Sequence, residues 1–272
     1  MREVEMKRST DRMLTTHAGS LPTRSDLSEM LHAQDAGQPY DERVLQKRLA
    51  SAVAEAVKMQ VGHGIDIITD GEQSKTSFIT YLSRRLTGIA TRPGAVARAV
   101  SDRQRQDFPD YFRAQRTAAP GFGRRQFYCV GPLRYTGQEA VQTDLDNLQA
   151  AMVSVQAEEA FLPAVAVGTV EHWIANEYYP SDEAFLFALA DALHEEYKAI
   201  SDAGFLLQLY VAAYWQYPSH PHHAGGEADV DRVCRFSRRV SMPTGLRSRR
   251  WQSETVVGGS EPTSCLSRTI TI

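Results

Sequence analysis

The chain has 272 residues, 42% of them hydrophobic and 23% charged, which is the balance of a globular protein with one large core or two small ones. A net charge of -3 gives no basic surface for nucleic acid, and no run of 18 apolar residues offers a membrane-spanning helix. The charged opening MREVEMKRSTDR does not read as a secretory signal, and Cys129, Cys234 and Cys265 form neither a CxxC pair nor a disulfide framework, so a reducing, cytoplasmic setting is expected.

In chain order, RMLTTHAGSLP (12–22) reads as a short strand ending in a Gly-Ser-Leu-Pro loop. In DERVLQKRLASAVAEAVKMQVGHG (41–64), Leu45, Leu49, Val53, Val57 and Val61 recur every four residues, the stripe of an amphipathic helix that Gly62 and Gly64 stop. IDIITDGE (65–72) is β-branched and enters an Asp-Gly loop, so it predicts a buried strand. SFITYLSRRLTGI (77–89) predicts a helix, and the polar residues 91–126 an excursion.

QFYCVGP (126–132) predicts a third strand, 139–158 a helix and AFLPAVAVGTV (160–170) a fourth strand, with Pro163 near its start or at a bulge. Ser181 reads as the N-cap of a helix over 182–202 that turns Phe185, Leu186, Leu189, Leu193, Tyr197 and Ile200 to a core and stops at Gly204. FLLQL (205–209) predicts a fifth strand. Strand and helix alternate without a hairpin signal, so the expected class is α/β with parallel strands, either doubly wound or a (β/α)8 barrel. No GxGxxG follows the first strand, which weakens a dinucleotide-binding reading. Five units by residue 209 is the pace of a barrel, and about five βα units with an irregular tail predict an incomplete one.

After Leu209 the writing changes. Residues 1–208 carry a net charge of -6 and residues 209–272 a net of +3; the tail has eight Arg, no Lys, eight Ser and no helical periodicity. Two segments follow as an expectation: 1–208, the barrel portion, and 209–272, an irregular tail. The tail reads as a frame-shifted or mis-spliced stretch, with a divergent C-terminus as the alternative.

Polar residues at the ends of parallel strands are where such folds keep their chemistry. His17, Gly19 and Ser20 follow the first strand, Asp70 and Glu72 the second, Glu171, His172 and Glu177 the fourth, and Gln208 closes the fifth; Cys129 lies inside the third. Gly19 lets backbone approach an anion and N–H groups around Ser20 can bond a carboxylate, although a plain turn capped by Ser20 fits as well. Glu72 can pair with an ammonium or with a neighbouring Arg. His17 fits either a site or a satisfied core position, and Cys129 reads as buried and inert.

TTHAGSLP, GIDIITDGEQSKTSFITYL, AFLPAVAVGTVEHWIANEYY and DALHEEYKAISDAGFLLQ, taken together and in this order, resemble the catalytic-domain family of cobalamin-independent methionine synthase and its single-barrel relatives over about residues 12–208. The resemblance implies a (β/α)8 barrel whose mouth holds a small thiol such as homocysteine, a zinc ion that binds the sulfur as thiolate, and a methyl donor such as a folate. It implies that Gly19 and Ser20 hold the substrate carboxylate, that Glu72 holds its ammonium and that Asp70 sets the loop.

The family's zinc ligands lie later in its chain, and no His-x-Cys occurs here, so methyl or alkyl transfer is expected to be impaired or lost. His220, His222 and His223 offer only adventitious metal binding by this reading. The alternatives are a non-catalytic binding remnant, with self-association through an incomplete barrel, and a uroporphyrinogen-decarboxylase-like lyase. The lyase reading has only Arg24 for its Arg-rich loop.

Overall fold

The computed structural model describes residues 7, 9–92, 106–111, 113, 126–211, 252–256 and 267–271. The elements are helix α1 (Ser25–Asp35), α2 (Glu42–Gly62), strand β1 (Ile67–Thr69), α3 (Phe78–Ser83), β2 (Ile89–Thr91), β3 (Phe127–Cys129), α4 (Gln138–Met152), β4 (Glu159–Val165), α5 (Val167–Trp173), β5 (Ile174–Asn176), α6 (Asp182–Asp202), β6 (Leu206–Val211), β7 (Gln252–Val256) and β8 (Ser267–Thr271).

The two long helices form for the reasons their sequences give. Asp41 caps α2 by accepting from the Arg43 and Val44 N–H groups, and the stripe Leu45, Leu49, Val53 and Val57 is buried. Ser181 caps α6 by accepting from the Ala184 N–H; Phe185, Leu189, Leu193, Tyr197 and Ile200 are buried, and Leu186 is half-buried. Gly204 then turns the chain at φ 86° into β6.

The main sheet has the order β1-β4-β6-β8-β7. Its first three strands are parallel and connected through helices, as expected, in the register Ile67↔Glu159 and Phe161↔Leu206. On the other side of β1, the expected first strand is a single bridge from Thr16 to Ile67. Asp66 pins it there: its carboxylate accepts from the Thr15 N–H at 2.7 Å, the Thr15 hydroxyl at 2.9 Å and Arg12 at 2.7 Å. Arg12 first and the Thr15 N–H second hold the Asp66 carboxyl well below the usual carboxylate range. One continuous core spans the sheet and the inner faces of α2, α4 and α6, with Val57, Ile68, Leu148, Leu162, Leu193 and Leu207 at its centre.

Four sequence expectations need correction. Residues 126–132 do not continue the parallel sheet: β3 pairs antiparallel with β2 and parallel with β5 in a separate three-stranded sheet. Glycine makes that pairing possible. A Cβ on Gly88, at φ 74°, would lie 2.5 Å from the Gly131 carbonyl oxygen, and the Val130 N–H donates to the Gly88 carbonyl at 2.8 Å. The fourth strand ends at Val165, and Val167–Trp173 is helical. A fully buried apolar run has no exposed face to reveal its period, so AVAVGTV reads equally as strand or helix.

Pro163 sits neither at a strand start nor at a bulge but inside β4, opposite Gln208. Its carbonyl turns to Lys75, beyond the end of β1, so the missing N–H on that side interrupts no ladder. Lastly, the tail expected to be irregular contributes β7 and β8: β6 runs past Leu209 to Val211, β8 pairs antiparallel with it, and β7 pairs antiparallel with β8. The polar excursion 91–126 and the His220–His223 tract lie largely or wholly outside the described residues.

Candidate functional site

At the C-terminal end of β1 the chain enters the loop 70–75, which faces the loop 17–22. The strand end is fixed from below. The buried Gln60 side chain on α2 donates to the Thr69 carbonyl at 2.7 Å and accepts from the Thr69 N–H at 3.1 Å. Asp70, 1% exposed, accepts from the Glu72 N–H at 2.9 Å and the Thr69 hydroxyl at 3.1 Å, an Asx-type turn. Burial pushes the Asp70 carboxyl above its usual range.

Gly71 has φ 68° and passes so close to α2 and to the first loop that a Cβ there would lie 3.1 Å from the Leu21 side chain and 3.2 Å from Ala56. Glu72 follows at φ 58°, a left-handed conformation that a non-glycine residue adopts only when its surroundings impose it. Among the described residues with side chains it is the one such case.

The surroundings that impose it are specific. The Ser20 hydroxyl donates to the Glu72 carboxylate. The Leu21 N–H donates to the Gly71 carbonyl at 3.1 Å, and the Gln73 amide donates to the Leu21 and Gly71 carbonyls, each at 3.2 Å. The Lys75 N–H returns to the Glu72 carbonyl at 3.0 Å, and the Lys75 ammonium reaches the Pro163 carbonyl on β4 at 2.5 Å. Two loops some fifty residues apart are thus sewn together around one carboxylate that is 4% exposed.

Of the residues expected at a site, the structure joins Ser20, Asp70 and Glu72. Gly19 is on the same loop, exposed, at φ 87°, with open space where a side chain would be. His17 is half-buried, and its Nε2 is buried without a hydrogen-bond partner. Cys129 is buried, its thiol directed to the Gly131 carbonyl at 3.5 Å, and burial pushes the thiol up. Glu177 is paired with Arg92, and Gln208 is buried within β6. Gln60, Gln73 and Lys75 were not expected from the sequence; Lys75 stands in the polar run DGEQSKTS (70–77), where nothing local marks it for burial.

A second polar cluster lies deeper, between α3, α4 and α6. Arg85 bridges Asp144 at 2.6 Å and Glu196 at 3.3 Å, while the Tyr81 and Tyr135 hydroxyls both donate to Glu196. Burial first, and the Glu196 carboxylate second, push both phenols above their usual range. Every charged member of this cluster is paired.

Among the described residues, no three His, Cys, Asp or Glu are grouped so as to hold a metal ion. The described mouth holds Ser20, the Asp70 and Glu72 carboxylates already bonded within the loops, Lys75 and, at its edge, the His17 imidazole; one imidazole beside committed carboxylates does not fit a zinc centre. Nor is any helix among the described residues long and apolar enough to cross a membrane.

Residues 13–108 match the family model described as "Cobalamin-independent synthase, Catalytic domain". The methionine synthase of Saccharolobus islandicus is 24% identical over 195 residues, covering 70% of this chain and 49% of that protein. The methionine synthase of Pyrococcus furiosus is 23% identical over 246 residues, covering 85% of this chain and 60% of that protein; this share is larger than residues 1–208 supply, so the match runs past Gln208. A solved B12-independent methionine synthase from Shewanella sp. W3-18-1, in complex with selenomethionine, superposes with a TM-score of 0.52 at 22% identity, covering 70% of this chain and 49% of that one. That likeness carries the fold alone. The chain spans about half the length of the first relatives it matches.

Proposed function

We propose that the chain, which is similar to the cobalamin-independent methionine synthase catalytic domain over residues 13–108, binds a small thiol amino acid of the homocysteine type and descends from an enzyme that methylates or alkylates such a thiol. In this reading the N–H groups around Gly19 and Ser20 receive the ligand's carboxylate, Glu72 receives its ammonium, Asp70 sets the loop, and His17 lies at the edge of the same mouth. Residues 1–208 carry the methionine-synthase-like motifs, and 209–272, into which the Pyrococcus furiosus match extends, is a divergent segment. The setting is cytoplasmic, and an incomplete barrel would favour self-association.

The observation that carries the reading is the bond from Ser20 to a Glu72 held in a left-handed conformation. A loop that fixes a carboxylate at the cost of backbone strain has a use for it beyond packing. The reaction of that ancestry forms a bond between sulfur and a methyl carbon and breaks the bond from that carbon to its donor, a folate in this reading. The thiol proton leaves before or during the transfer. The described residues hold the amino-acid head and supply no group set that replaces a metal at sulfur, so slow or absent turnover is the proposed state of this chain.

The test combines equilibrium dialysis of labelled L-homocysteine against the full chain with mass-spectrometric detection of L-methionine after adding 5-methyltetrahydrofolate. Saturable L-homocysteine binding with little or no L-methionine is expected. Absence of L-homocysteine binding sinks the reading, and rapid L-methionine formation sinks the statement that turnover is impaired.

A further inference from the structure

The Lys75 ammonium is a buried charge at the described mouth that has no direct ion pair among the described residues. Lys75 is 8% exposed, so its charge has been taken largely out of water. An ammonium carries three donors; one is spent on the Pro163 carbonyl, a neutral acceptor. The face of the Tyr81 ring lies 5.0 Å from the Nζ atom and adds a modest attraction. Lys75 makes no ion pair with a described carboxylate. Asp70 attracts the Lys75 ammonium from beyond ion-pair distance and spends one oxygen on the Glu72 N–H and the Thr69 hydroxyl, while Glu196 is committed to Tyr81, Tyr135 and Arg85.

Buried charges in folded proteins are paired, and this one has two donors without a described partner. It also stands apart from the Ser20–Glu72 pair, one strand over, on the carbonyl at residue 163 of β4. We infer that Lys75 is an anion-binding group that takes the distal anionic end, thiolate or carboxylate, of an amino acid whose head group lies at Ser20 and Glu72. The inference rests on the amino-acid reading of the mouth and adds to it what selects the ligand's far end. A thiolate is favoured beside a lysine ammonium because the cation lowers the thiol's pKa. A carboxylate is favoured by an ordinary charge-assisted bond.

Three ligands of similar length separate these cases: L-homocysteine, L-glutamate, and L-norvaline, in which a methyl replaces the thiol. Calorimetric titration of the full chain compares wild type with Lys75→Met and Lys75→Arg. Lys75→Met is expected to weaken an anionic ligand by about ten-fold or more, to leave L-norvaline within about two-fold, and Lys75→Arg is expected to restore part of the loss. Loss confined to L-homocysteine names the thiolate, loss confined to L-glutamate names the carboxylate, and loss of both names an unselective anion site. An equal loss for all three ligands, or no loss for any, overturns the inference. If wild type binds none of the three, the amino-acid reading has failed, and inorganic phosphate decides the point for Lys75 alone. A rise in melting temperature with phosphate in wild type that is absent from Lys75→Met keeps the anion site; no rise in wild type overturns it.

Discussion

The two buried polar clusters differ in how far their groups are satisfied. Around Arg85 each charge meets an opposite charge and each phenol meets Glu196, and the cluster ties three helices together. Around Glu72 the backbone is strained, one lysine has donors to spare, and the bonds hold two loops in a particular shape. A network that closes on itself serves the fold; the network left open at Glu72 and Lys75 is the one proposed to serve a ligand. The two clusters are therefore expected to differ under substitution, the closed one losing stability and the open one losing binding.

The largest effect is expected at the closed cluster. Arg85→Met leaves Asp144 and Glu196 buried without their cation and is expected to cost about 3–5 kcal/mol in urea unfolding. Next comes Gly88→Ala. It forces a side chain onto the Gly131 carbonyl at a positive φ and is expected to cost about 1–3 kcal/mol from backbone strain, with the overlap added. Thermal unfolding measures it, together with loss of the β2–β3 pairing in amide exchange.

At the open cluster the expected loss moves from stability to binding. Glu72→Gly relieves a left-handed strain of about 1–2 kcal/mol and gives up one hydrogen bond and some unfolded-state entropy. Its stability is expected within about 1 kcal/mol of wild type while L-homocysteine binding disappears. Stability lost as heavily as in Arg85→Met would erase the contrast between the clusters.

The smallest effect concerns the strap at Thr15. Asp66 has its carboxyl held below the usual 3.8, so what it contributes is full above about pH 4 and is lost as the pH falls below that. The difference in urea midpoint between wild type and Asp66→Asn is expected to be constant from pH 7 to 5 and to shrink as the pH drops to 3. A difference that grows on acidification would contradict the assignment.

Much of this could be read from the chain alone. The caps Asp41 and Ser181, the four-residue stripe of α2 and the β-branched entry to Asp70 are local signals, and the structure agrees with them. That Ser20 and Glu72 share one place was implied by the family resemblance, and it comes about because the two loops follow neighbouring segments of the parallel sheet.

What failed depends on contacts distant in sequence. Whether AVAVGTV is strand or helix is decided by what buries it, and the place of β3 is decided by a glycine–glycine approach between residues 88 and 131. The Arg85 cluster does leave a signal in the sequence. Asp144 sits in the apolar stripe of α4 between Val141 and Leu148, and Glu196 sits in that of α6 between Leu193 and Ile200. A carboxylate on the buried side of a helix requires a cation opposite it. The reach of Lys75 across to β4 is a tertiary fact with no local trace beyond the lysine itself.

In the proposed reading, Ser20 and Glu72 form the head-group site of a small amino-acid ligand. Its most direct test is a double-mutant cycle on L-homocysteine affinity, using Ser20→Ala, Glu72→Gln and the double variant in the full chain. The account predicts that each single substitution weakens binding and that the double variant is less impaired than the two losses combined, because the residues act as one bonded pair. Wild-type affinity in both single variants would contradict it.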